Sequence, residues 1–150
     1  MAKKASRFRT VLRVKKHQEK VTQQQLMQIQ EAHEQEQRVL ARLHDAHEEA
    51  VQESAHTGRA RATDLQTQRA FIFKLTRQIN HQSEKVDEIR EKEDFKRQEL
   101  TERAQSRQMV ENLDEKREAE VVRSIDRKEQ EMIDELANRS GKNTEEKWKS

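Results

Sequence analysis

The chain contains no cysteine and no proline, and its only glycines are Gly58 and Gly141. The lack of cysteine excludes disulfides and thiolate chemistry. Without proline, and with so little glycine, almost nothing in the sequence interrupts long helices. No apolar run approaches the about 20 residues of a membrane-spanning helix, and the N-terminus lacks the apolar core of a signal peptide. These absences predict a helical chain located in the cytoplasm.

Large apolar residues are also scarce, since Leu, Ile, Val and Phe together supply 28 of the 150 residues. That is too few to fill a globular core, and such a composition often indicates disorder. Disordered chains usually carry a high net charge, however, whereas here 31 basic residues nearly balance 29 acidic ones. Balanced charge with a periodic apolar stripe favours long solvated helices. A chain that folds only on binding is the alternative.

A heptad pattern organises the second half of the sequence. Its positions step by three and four and are Ile72, Leu75, Ile79, Gln82, Val86, Ile89, Glu93, Lys96 and Leu100. The same spacing in the first half gives Ile29, His33, Glu36, Leu40, Leu43, His47 and Ala50. An apolar period of 3.5 residues sustained over several heptads predicts a coiled coil. After Leu100 the apolar residues are expected to leave this register.

The best helix break lies at Gly58, because glycine directly after a helix accepts the left-handed conformation. Thr63 and Gln66 then have the spacing of a capping box. We therefore expect helix one at about 6–56, a turn at about 57–62, helix two at about 63–139 and a flexible tail at 140–150, within a single coiled-coil domain of residues 1–150. The expected fold is all-α, an elongated antiparallel two-helix coiled coil (a helical hairpin) with a longer second helix.

Symmetric folding about this turn pairs Leu43 with Ile79, and it brings Phe8 near Leu113. Beyond Leu113 the second helix has no expected partner within the chain. The apolar residues Val121, Ile125, Met132 and Leu136 continue along it. An unpaired apolar stripe on a solvated helix predicts a binding surface or a self-association surface.

No sequence motif of an enzyme is present: there is no Gly-rich phosphate loop, no nucleophile elbow and no kinase signature. His44 and His47 lie one helical turn apart, but no third ligand at suitable spacing completes a metal site. The basic run at residues 3–16 is not followed by the leucine heptads of a basic zipper, so nucleic-acid binding is not expected. We expect no catalytic activity, no cofactor and no metal.

Both ends of the sequence resemble the FliJ family, the soluble rod of the bacterial flagellar type III export apparatus. The N-terminal likeness lies in Arg7-Phe8-Arg9 followed by Val11-Leu12 and Arg13. The C-terminal likeness lies in Glu115-Lys116-Arg117, in Arg127-Lys128-Glu129-Gln130-Glu131 and in Asp134-Glu135-Leu136-Ala137. The resemblance implies an antiparallel two-helix coiled coil that acts like the central stalk of a rotary ATPase.

The resemblance also implies three partners: the export ATPase hexamer, the membrane export gate protein and export chaperones, which the rod hands on. The end that meets the ATPase would comprise Phe8, Leu12, Val121, Ile125, Met132 and Leu136. The patch that meets the gate, near the turn, would comprise Leu43, Ala46, Phe71, Leu75 and Gln82. Ala46 stands where relatives can have an aromatic residue and Gln82 where they can have histidine, so the detailed gate contact is open.

Two other functions remain open on the sequence alone. One is a generic scaffold coiled coil that self-associates, and the other is a peripheral stalk or assembly component of another rotary ATPase. An export stalk is expected to be mostly monomeric and cytoplasmic. It would lie at the cytoplasmic face of the inner membrane, with peripheral membrane association through its partners.

Overall fold

The computed structural model describes the backbone of residues 2–56, 58 and 61–147, and the side chains of residues 8–56, 58 and 61–140. Over these residues the chain forms two helices, α1 (Ala2–His56) and the longer α2 (Ala62–Lys147), and no strand. The expected all-α fold with a longer second helix is therefore confirmed. The described contacts fall into two units, His17–Ala104 and the combination of Met1–Lys16 with Gln105–Ser150, called here the turn unit and the terminal unit.

The helix ends near the turn differ in detail from the expectation. α1 ends at His56, and the amide of Gly58 donates to the His56 carbonyl over 3.0 Å without a positive φ at Gly58. The left-handed cap expected at Gly58 is therefore not adopted. At the start of α2 the carbonyl of Arg61 accepts from the amides of Asp64 and Leu65 at 3.0 and 3.2 Å, so Arg61 rather than Thr63 precedes the first turn. The expected turn positions 57, 59 and 60 lie outside the described residues.

α2 continues through Gly141 to Lys147, although the sequence suggested an end near residue 139. One glycine inside a helix costs only about 1 kcal/mol relative to alanine, so it does not by itself stop the helix. Residues 148–150, which belong to the expected tail, lie outside the described part of the chain. The single-domain division and the flexible tail stay predictions.

In the turn unit the two helices pair in antiparallel fashion along the expected heptad positions. The interior is formed by three apolar residues, Leu26, Leu75 and Val86, and three polar ones, Thr22, Gln82 and Glu93. Contacts between facing residues run in opposite chain directions: Thr76 Oγ1 lies 3.3 Å from His47 Nε2, and Lys96 Nζ donates to Gln25 Oε1 over 3.0 Å. These contacts agree with the pairing predicted from folding about the turn.

Thr22 is an interior residue that the apolar pattern did not indicate. Its side chain is 1% exposed, and its hydroxyl donates to the Gln18 carbonyl over 3.0 Å, whereas the neighbouring Val21 is exposed. The heptad spacing from Leu26 reaches Thr22 and not Val21, because a step of one residue rotates the helix by about 100°. The spacing therefore identifies the covered face better than the hydrophobicity of each residue does.

The terminal unit is likewise an antiparallel pair. Lys15 Nζ donates to Ser106 Oγ over 2.7 Å, Lys16 pairs with Glu111 at 3.2 Å, and the Arg117 guanidinium lies 5.2 Å from the Phe8 ring centroid. Phe8 thus contacts Arg117, one helical turn beyond the expected Leu113, and Leu113 is exposed.

The change of register expected after Leu100 is wrong, because the covered positions keep the heptad spacing from Leu100 to Arg117. In the terminal unit the partly covered positions of α2 include Arg107, Val110, Asp114 and Arg117, which keep the steps of three and four. Three of these residues are charged, so a search for apolar residues does not find them. The heptad spacing therefore holds as far as Arg117, and beyond it every described side chain is exposed.

Candidate functional site

The most distinctive surface lies on α2 after Arg117, within the terminal unit. Every described side chain of residues 118–140 is exposed. The apolar residues of this segment share one face of the helix, called here the α2 stripe, which comprises Val121, Val122, Ile125, Met132, Ile133 and Leu136. Four of them were expected from the sequence, and Val122 and Ile133 are added by the structure. Apolar residues that recur on one face over several turns of a charged helix are typical of a surface that binds another protein.

The other residues expected at the ATPase end, Phe8 and Leu12, are half-buried on α1. The guanidinium of Arg117 covers the ring of Phe8, and such a cation–π contact contributes about 0.5–1 kcal/mol at an exposed site. Phe8 therefore helps to hold the helices of the terminal unit together. The structure assigns the exposed apolar surface to α2 and not to these α1 residues.

The five residues expected near the turn, in the turn unit, are covered to different degrees. Leu75 and Gln82 are interior residues, with 5% and 8% exposure, and Leu43 and Ala46 are half-buried. Phe71 is the member that presents its side chain to solvent, at 51% exposure. Of the five expected residues, Phe71 thus offers the exposed apolar side chain, one helical turn before the interior residue Leu75.

Gln82 is engaged in a polar cluster with α1. Its Nε2 donates to the Glu36 carbonyl over 3.1 Å and to Glu36 Oε2 over 2.6 Å, and Lys85 pairs with Glu36 Oε1 at 2.7 Å. The hydrogen bonds from Lys85 and Gln82 hold the pKa of Glu36 below its ordinary value and outweigh the opposing effect of burial. The Gln82 amide is therefore occupied within the helix pair.

Glu93 is the centre of a second polar cluster between the helices. Its carboxylate lies 2.8 Å from His33 Nδ1, 2.6 Å from Arg97 and 3.3 Å from Gln30 Nε2. Because a carboxylate only accepts hydrogen bonds, the imidazole is the donor. Burial alone would raise the pKa of Glu93, but the hydrogen bonds from His33, Arg97 and Gln30 outweigh it, and the net pKa is lowered. Polar residues inside a coiled-coil seam can fix its register, and this cluster has the geometry for that role.

An exposed aromatic residue away from the turn was not indicated by the heptad pattern. Phe95 projects from α2 beside a shallow groove that also includes Ile29, within the turn unit. Its signal in the sequence is a phenylalanine outside the heptad positions, which it shares with Phe71 and Phe73. Single exposed apolar residues are common, so Phe95 alone does not indicate a site.

The described residues contain neither a group of metal-binding side chains nor a membrane-spanning helix. No group of three or more His, Cys, Asp or Glu in residues 8–56, 58 and 61–140 is arranged to hold a metal ion. His47, one of the two histidines considered above, lies against Thr76. Neither helix, over its described residues, is long and apolar enough to cross a membrane.

Comparison with known proteins gives one match. A family model described as "Flagellar FliJ protein" matches residues 3–146, which is nearly the whole chain. No curated protein and no solved structure matches the chain significantly. The match spans both helices and includes both end segments in which the sequence resembles this family. The chain belongs to the FliJ family.

Proposed function

We propose that this chain is a non-enzymatic coiled-coil stalk that binds the export ATPase hexamer and the membrane export gate and escorts export chaperones. Membership of the FliJ family supports a role in flagellar protein export. The observation that carries the finer proposal is the exposed α2 stripe. It offers an apolar surface on a helix that is otherwise charged, as expected of a segment that inserts into a partner.

In this proposal each of the two units binds a different partner. The α2 stripe of the terminal unit binds the ATPase, and the Phe71 surface of the turn unit binds the gate. That second surface is supported, from within or beside the helix pair, by Leu43, Ala46, Leu75 and Gln82. The stalk acts in the cytoplasm and reaches the cytoplasmic face of the inner membrane through the gate protein.

Co-sedimentation of the full chain with the purified export ATPase tests this proposal. We expect the chain alone to sediment mainly as a monomer and to move into the hexamer fraction when the ATPase and nucleotide are added. A stable dimer that does not bind the ATPase would instead support the alternative function as a self-associating scaffold. Binding to the ATPase of another rotary complex but not to the export ATPase would support the other stalk.

Replacing Phe71 with alanine is expected to weaken gate binding while barely changing stability. The ring is half exposed, so its loss should alter the free energy of unfolding by less than about 1 kcal/mol. An aromatic anchor in a binding surface costs about 2 kcal/mol of binding free energy when it is truncated. Thermal melting and titration with the purified gate domain provide the two measurements.

Two control variants sharpen this test. Phe95→Ala removes a ring that is even more exposed, elsewhere on the same helix, and should leave gate binding unchanged. Leu75→Ala removes an interior side chain and should lower the free energy of unfolding by about 2–4 kcal/mol. Equal gate binding by the Phe71 variant and the wild type would place the gate contact elsewhere.

A further inference from the structure

The exposed part of α2 belongs to a sequence repeat of eleven residues that begins at Val110. Val110 aligns with Val121 and Met132, and Glu118 aligns with Glu129. The remaining matched sets are Val122 with Ile133, Ile125 with Leu136, Glu120 with Glu131, and the basic series Arg117, Lys128 and Arg139. The helix pairs of both units follow the seven-residue spacing as far as Arg117, so the two patterns overlap at residues 110–117.

An eleven-residue repeat has a physical consequence for the shape of the stripe. Eleven residues over three turns give about 3.67 residues per turn, close to the 3.6 of a straight α-helix. A stripe with this period runs almost parallel to the helix axis, whereas a seven-residue repeat imposes a left-handed supercoil. The surface that covers the α2 stripe must therefore be nearly straight or slightly right-handed.

Glu129 interrupts the apolar stripe at its centre, and Glu118 precedes the stripe on the same face of the helix. Glu129 follows Ile125 by four residues and precedes Met132 by three, which places it on the same face of the helix as both. Neither glutamate has a lysine or arginine three or four positions away, so the helix itself offers no pairing partner. Both side chains are exposed, and neither makes an ion pair with any described residue. Glu131, in contrast, has Arg127 and Lys128 at those positions.

We propose that the α2 stripe binds a nearly straight helical surface whose apolar face carries lysine or arginine opposite Glu118 and Glu129, about 16 Å apart along the axis. The charge pattern selects this occupant, because the carboxylates need a basic counterpart inside an apolar contact. This inference rests on the proposed function only where it identifies the partner as the export ATPase.

A second copy of this chain does not meet the requirement. Two copies paired in parallel and in register would place Glu118 against Glu118 and Glu129 against Glu129. Two antiparallel copies centred on the stripe would place Glu118 opposite Arg139 but would bring the two Glu129 side chains together at the two-fold axis. Like charges that face each other across an interface oppose association, so Glu129 acts against self-pairing in both arrangements.

The proposal is tested by comparing the affinity of the chain for two helical peptides of opposite charge. Both fluorescent peptides are built from the same eleven-residue apolar repeat, and they differ only at the central position of each repeat, which is lysine in one peptide and glutamate in the other. The full chain is expected to bind the lysine peptide at least about tenfold more tightly, and Glu118→Lys with Glu129→Lys should reverse the preference. The matched control, Glu120→Lys with Glu131→Lys, keeps the eleven-residue spacing on the opposite face and should retain it. Equal binding of both peptides, or a preference that the first variant leaves unchanged, overturns the proposal.

Self-association provides a second readout that needs no partner. Glu118→Leu with Glu129→Leu completes the apolar stripe, and this variant is expected to form dimers at concentrations where the wild type is monomeric in sedimentation equilibrium. A wild type that dimerises through residues 118–140 would make a second copy the occupant and overturn the proposal. Because neither readout uses the ATPase, a failure of ATPase binding would contradict the proposed function and leave this inference standing.

Discussion

Removing residues 118–150 is expected to abolish binding to the export ATPase while the remaining helices stay paired. The described side chains of this segment are exposed up to residue 140, so their removal exposes little new apolar surface. The cut preserves Arg117 and therefore its contact with Phe8. Circular dichroism of the truncated chain should show a melting temperature within about 5 °C of the wild type. Co-sedimentation with the ATPase should fall to background.

A set of point substitutions separates the apolar stripe from the other parts of this segment. Changing Val121, Ile125, Met132 and Leu136 together to serine should weaken ATPase binding by more than about a hundredfold, because several buried anchors are lost at once. The matched control changes Arg123, Arg127, Asp134 and Asn138 to serine, with identical spacing on the opposite face. The control should bind within a few-fold of wild type. If the two sets weaken binding equally, the stripe is not the contact surface.

Replacing Glu93 with alanine is expected to have the largest effect on stability among the polar residues of the turn unit. The change leaves His33 and Gln30 without their acceptor and removes the ion pair with Arg97. Loss of a largely buried, charge-assisted cluster should lower the free energy of unfolding by about 1–3 kcal/mol. Glu91→Ala, at an exposed position on the same helix, is the control and should change it by less than about 0.5 kcal/mol. Urea denaturation at neutral pH gives both values.

The pH dependence of this effect has a defined sign. The pKa of Glu93 is lower in the folded chain than its ordinary value of 4.5, so the folded state favours the ionised carboxylate. The stabilisation is complete above pH 4.5 and is lost as the pH falls through the folded-state value. The stability difference between wild type and Glu93→Ala should therefore shrink in acid. A difference that persists undiminished at low pH would assign the effect to packing and not to charge.

Much of the helix pairing follows from the sequence because the heptad spacing is a geometric signal. Positions such as Leu75, Gln82 and Glu93 are covered because of where they lie in the repeat, whatever their polarity. The same principle explains the error beyond Leu100, where charged positions were taken as a loss of register because residue polarity was given more weight than spacing. Thr22 shows the same effect, since it is covered while the more apolar Val21 beside it is exposed.

The sequence predicts one candidate surface well and the burial of other site residues poorly. The α2 stripe follows from an apolar series on a helix that extends beyond its partner, so chain length and turn position suffice to indicate it. The covered state of Phe8 depends on Arg117, a contact between residues far apart in the sequence that composition does not reveal. The same holds for Gln82, whose burial depends on the acceptors that Glu36 supplies. The identity of the partners follows from neither the helical spacing nor these contacts.

Hydrogen–deuterium exchange of the full chain, with and without the export ATPase, tests most directly that the α2 stripe is the surface that binds this partner. We expect peptides from residues 118–140 to exchange more slowly in the complex, while peptides around Phe71 stay unchanged until the gate protein is added. Unaltered exchange in residues 118–140, with protection confined to the turn unit, would contradict this expectation.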